Sequence, residues 1–143
     1  MKLKDAPASG VSVVHGELSG HEIRAITSRL AHPDDPLTPW RVEFEEWRKA
    51  YSDFLRIEKE RLFEVESPSP VTLRQHRYLL FLLMARGEQL ALAVMADSVL
   101  GESERRKLVE QADSFLRCLQ DSWQTWHGEV VPAHREMLAK FLD

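Results

Sequence analysis

A chain of 143 residues, 43% hydrophobic and 29% charged, makes one ordinary domain able to bury a core without disulfides or metal. Nineteen Lys and Arg against 23 Asp and Glu leave a net charge of −4, which argues against a nucleic-acid binder, whose domain is normally basic. The single cysteine, Cys118, cannot close an internal disulfide, so a reducing compartment is expected.

Residues 1–18 read as an N-terminal arm, and 19–143 as a single helical-bundle domain. In the arm, Met1 to Lys4 is followed by Asp5-Ala6-Pro7-Ala8-Ser9-Gly10, with no apolar signal core. Val11 to Val14 is the one plausible strand, placed to lie on the bundle or to reach a second subunit. The longest apolar run, Tyr78 to Ala85, is far short of the roughly 18 residues a spanning helix needs. A cytoplasmic protein without membrane contact is the expectation.

Leu18-Ser19-Gly20-His21-Glu22-Ile23 sets a serine three residues before a glutamate, the reciprocal capping box, with Leu18 and Ile23 at hydrophobic-staple positions. Ile26 and Leu30 continue a helical period, so a short helix runs from about Gly20 to Ala31, ahead of His32-Pro33. Thr38 then caps a second helix with Pro39 in its first position and Leu37 stapling Val42. Trp40, Phe44, Trp47, Tyr51 and Phe54 form an aromatic stripe at steps of four and three, extended by Leu55 and Leu62, to about Glu64. Val42, Ile57 and Phe63 fall off that stripe.

Ser69 caps the third helix and Pro70 opens it; the spacing predicts about Pro70 to Leu100. Leu79 to Met84 and Leu90 to Ala96 leave little polar face, so this helix is expected at the centre, covered on nearly all sides. Gly87 within it implies close approach of a neighbour, or else a kink. After Gly101, Ser103 is the expected cap of a fourth helix with a stripe of Leu108, Ala112, Phe115, Leu119, Trp123 and Trp126, ended by a left-handed Gly128. A last short helix carries Val130, Met137, Leu138, Phe141 and Leu142. The architecture predicted is an all-α, up-and-down antiparallel bundle of three long helices plus short N- and C-terminal helices. Phe44, Phe54, Leu80, Leu83, Phe115 and Leu119 are its expected inaccessible core.

Phosphate-binding glycine loops, Glu-x-x-His and His-x-x-x-His are all absent. The topology nonetheless gathers histidines. His76 begins the third helix, His127 ends the fourth, His134 opens the last, and the second helix ends nearby with Glu60 and Glu64. Three imidazoles and a carboxylate would suit Zn²⁺, Ni²⁺ or Mn²⁺ with one position open to water. The plainer reading is of polar helix-end residues, His127 favouring the helix dipole. Cys118, beside Leu119, reads as a small buried hydrophobe rather than a nucleophile, since His127 is over two turns away. In Glu104-Arg105-Arg106-Lys107, cations oppose the dipole of a helix start; a solvated surface is a plainer account than an anion site.

The apolar surplus favours another covering surface. The leading reading is a non-enzymatic interaction module that forms a homodimer or docks a protein partner, without a cofactor. The rival is a metal-binding bundle, as a binder or as a metal-dependent enzyme, using His76, His127 and His134. A third is a small-ligand pocket lined by Trp47, Tyr51 and Trp123.

Overall fold

The computed structural model describes residues 17–31 and 39–128, and these are all-helical, in four helices. Helix α1 spans Gly20–Leu30. Its capping box is formed: Ser19 Oγ accepts from the Glu22 N–H at 3.1 Å, and the Ser19 N–H donates to Glu22 Oε1 at 2.9 Å. Ala31 is extended and stops the helix one residue before the expected end. A reciprocal amide pair docks its start on the third helix. The Leu18 N–H donates to Gln75 Oε1 (2.9 Å) and Gln75 Nε2 donates back to the Leu18 carbonyl (3.2 Å).

Helix α2 spans Trp40–Glu58, with Pro39 as its extended flank; the expected Thr38 cap and Leu37 staple lie outside the described residues. Its aromatic stripe packs edge to face, Trp40 on Phe44 at 6.2 Å and Phe44 on Trp47 at 5.7 Å between centroids. The helix passes into a π-helical turn, Lys59–Phe63, where the Glu64 N–H reaches back five residues to the Lys59 carbonyl (2.9 Å). Ile57, read as off the stripe, is buried. Leu55, read as extending it, is 41% exposed.

Helix α3 spans Pro70–Ala96, capped by Ser69 Oγ on the Thr72 N–H (3.2 Å). It ends four residues short of Leu100 because Asp97 intervenes. Its Oδ1 accepts the N–H groups of Val99 and Leu100, and its Oδ2 accepts the Trp40 indole at 2.7 Å. Helix α4, Glu102–His127, is flanked by Gly101 rather than capped by Ser103. Of the three cations at its start, Lys107 is exposed and Arg105 is taken up by the fold. Its guanidinium donates to the carbonyls of Asp97 (2.6 Å) and Leu100 (3.0 Å), closing the end of α3 instead of facing solvent. Gly128 ends α4 at φ 75°, its N–H on the Gln124 carbonyl.

The two helices run side by side in opposite directions, Arg105 meeting the end of α3 and His127 meeting His76 near its start. At Gly87 the neighbours of α3 press close: a Cβ there would lie 2.5 Å from Trp47 Cζ2 and 3.0 Å from Leu116 Cδ2. Trp47 fills that space and donates its indole N–H to the Leu83 carbonyl at 2.9 Å. Phe44, Phe54, Leu80, Leu83 and Leu119 are buried as expected, whereas Phe115 is only half-buried, stacked on Tyr51 at 4.3 Å.

Nor is α3 covered all round. Tyr78 is 53% and Phe81 55% exposed. By length and composition α3 could cross a membrane, but half of its apolar window is buried within the protein. Arg86, also buried, pairs there with Glu43 at 2.8 Å. The arm with Val11 to Val14, the short helix at 130–142 and His134 lie outside the described residues.

Candidate functional site

Two features stand out: a polar string at the histidine end and a bare face on α3. The string is built by register. Glu58 follows Tyr51 and Phe54 by seven and four residues, so the stripe that buries those rings also carries a carboxylate inward. His76 sits two turns into α3, enclosed, with the Phe54 ring stacked on it at 5.2 Å. Its Nε2 meets Glu58 Oε2 at 2.8 Å, and its Nδ1 meets His127 Nε2 at 2.9 Å. Ser122 of α4 donates its hydroxyl to Glu58 Oε2 and lies 3.3 Å from His76 Nε2. Trp126 and Trp123 close the surroundings, 6.3 Å from His76 and 5.4 Å from His127 between centroids.

The arrangement restricts the chemistry. In a serine triad, nucleophile and acid engage opposite nitrogens of the histidine. Here Ser122 and Glu58 both face Nε2, so the imidazole does not stand between them as a base. The consistent assignment gives Glu58 as acceptor from the Ser122 hydroxyl and the His76 Nε2–H, with one proton shared between His76 Nδ1 and His127 Nε2. The result is a hydrogen-bonded chain of carboxylate and two imidazoles running from the bundle interior to the end of α4.

The expected histidine pair is thus in direct contact. The expected carboxylates are not part of it: Glu60 and Glu64 are exposed, and Glu64 pairs with Lys59 at 3.9 Å. Both stand on the polar side of the helical stripe, and Glu58, on the buried side, is the carboxylate that meets His76. The signal for Glu58 was present in the sequence, as an acid at the next step of the aromatic stripe. Among the described residues, no group of three or more His, Cys, Asp or Glu side chains is placed to hold a metal ion.

Beside the string, α2 and α4 leave an open pocket of about 370 Å³, lined by Tyr51, Leu55, Glu58 and Phe63 on one side and by Cys118, Asp121, Ser122 and Thr125 on the other. The sequence placed a ligand pocket against Trp47, Tyr51 and Trp123. Tyr51 does line one, but Trp47 and Trp123 are buried core residues. Cys118 is exposed rather than packed inside, because it stands one residue off the stripe at Leu119. Burial, the contact with the Cys118 thiol and the nearby Glu58 charge together push the Tyr51 phenol up, so it remains a neutral hydroxyl.

The second feature is the outer face of α3. Val71, Arg74, Tyr78, Phe81, Ala85 and Leu92 follow one another at helical steps, opposite the buried arc of Leu79, Leu83, Leu90 and Val94. Comparison of the chain with family models, with curated proteins and with solved structures finds no match.

Proposed function

We propose that this chain is an up-and-down bundle of three long helices with short helices at its ends, and that it acts as a non-enzymatic module by pairing with a second copy through the outer face of α3. The observation that carries the reading is the exposure of Tyr78 (53%) and Phe81 (55%) midway along the most apolar helix. Large aromatic side chains left bare on one face mark an interaction surface. Removing that apolar area from water is worth about 25 cal/mol per Å².

The charges favour a second copy over an unrelated partner. In an antiparallel, two-fold pairing centred on Phe81, Arg74 stands seven residues to one side and Glu88 seven to the other. Each Arg74 then faces the other chain's Glu88, twice per dimer. Sedimentation of the whole chain is expected to give a dimer at micromolar concentration. Phe81→Glu should return it to monomer with unchanged helical circular dichroism. Arg74→Glu should weaken the dimer, and adding Glu88→Arg should restore it. A wild-type chain that stays monomeric at high concentration overturns the reading.

A metal-binding bundle is the second reading, and the contact between His76 and His127 favours it. A metal-bound histidine typically gives its other ring N–H to a carboxylate, the relation Glu58 has to His76. Metal analysis of the purified chain distinguishes the two. Stoichiometric zinc, nickel or manganese, lost in His76→Asn, supports this reading, and a metal-free protein removes it.

A further inference from the structure

We propose that the pocket between α2 and α4 binds a small organic cation, an amine carrying a compact apolar group, with the ammonium toward Glu58 and Asp121 and the apolar group against Tyr51, Leu55 and Phe63. The pocket's volume of about 370 Å³ is in the range of small-molecule sites. Its lining selects for charge. None of the described residues that line it is a Lys or Arg, and two are carboxylates.

Glu58 is the unusual member. A buried acid is costly to keep ionised unless donors surround it. Here the Ser122 hydroxyl and the His76 Nε2–H supply that stabilisation while Glu58 still reaches the pocket. In the string of Glu58, His76 and His127, the end that reaches the pocket is the carboxylate. An entering ammonium meets a carboxylate that is itself largely buried, where attraction is stronger than in open water.

The walls select for an apolar body. Phe63 is 61% and Leu55 41% exposed at the rim, and the Tyr51 ring lies behind them. Aromatic faces also attract a cation directly. The hydroxyls of Tyr51, Ser122 and Thr125 can accept hydrogen bonds from an ammonium but cannot neutralise an anion. This pocket uses α2 and α4, whereas the pairing face belongs to α3, so either proposal can fail without the other.

The test is calorimetric titration of the full-length chain with benzylammonium, benzyl alcohol and benzoate, three probes of one shape and different charge, with amide shifts followed by NMR. Benzylammonium is expected to saturate one site and to shift residues 51–58 and 118–125. The alcohol and the carboxylate should bind at least about tenfold more weakly. Leu55→Lys, at an exposed position, places a cation in the pocket and should abolish binding with the fold intact. Glu58→Gln should weaken it about tenfold; because that change touches the core, Asp121→Asn on the surface provides a second, smaller loss. Equal binding of alcohol and ammonium, shifts confined to other helices, no saturation at millimolar benzylammonium, or unaltered binding by Leu55→Lys would each overturn the proposal.

Discussion

Gly87 shows how much one missing methyl can decide. In a helix interior, glycine gives up about 1 kcal/mol relative to alanine, so Gly87→Ala would gain that much if the space were free. The space is occupied. The added Cβ would stand 2.5 Å from Trp47 Cζ2, and the indole cannot swing away without losing its 2.9 Å bond to the Leu83 carbonyl. Overpacking of this kind costs about 1–3 kcal/mol, which outweighs the helical gain. Urea denaturation of Gly87→Ala is expected to show net destabilisation; a more stable variant would mean that the indole is free to move. The polar string follows the same residue-scale logic, since the buried Glu58 oxygen is met by two donors.

At the scale of the element, α1 is the piece whose attachment can be titrated. Glu22 caps it, accepting the Ser19 N–H on Oε1, and on Oε2 receives the Arg61 guanidinium of the π turn at 3.0 Å. Burial alone would raise its carboxyl, but the Ser19 N–H, Arg61 and the Ser19 hydroxyl together hold it below the ordinary 4.5. A carboxyl depressed in the folded state stabilises it above that value, and the contribution disappears as pH falls through the lowered value. Amide exchange in Glu22 to Ile26 should therefore accelerate as pH is lowered beneath 4.5, after correction for intrinsic rates. Ser19→Ala should accelerate it already at neutral pH, at a cost of about 1 kcal/mol. Unchanged protection in that variant would mean the box does not hold the helix.

At the scale of the whole molecule, periodicity and punctuation made the helices legible, because capping residues and apolar steps are local signals. Ser19, Ser69, Gly87 and Gly128 all do what their positions implied. Non-local bonds moved the boundaries. Asp97 stops α3 through the turn it forms and the Trp40 indole 57 residues away, and Arg105 finishes the same end from α4. The meeting of His76 with His127 was legible as topology, since antiparallel helices bring the start of one to the end of the other. Glu58, not Glu60 or Glu64, is the acid that meets His76, because it alone of the three continues the buried step of Tyr51 and Phe54. The centrality of α3 gives a global prediction. Leu83 is wholly buried, so Leu83→Ala should destabilise by about 2–5 kcal/mol in chemical denaturation. A loss under about 0.5 kcal/mol would show that α3 is not the structural centre.

The placement of the indoles has an optical consequence. Trp40 reports on the Asp97 end, Trp47 on the middle, and Trp123 and Trp126 on the histidine end. Helix α1 contains no aromatic residue. Intrinsic fluorescence therefore reports directly on the three longer helices, and on α1 only where it covers α2. In a melt recorded by tryptophan emission, loss of the capped first helix would register only through the water it admits to α2, not through a reporter of its own.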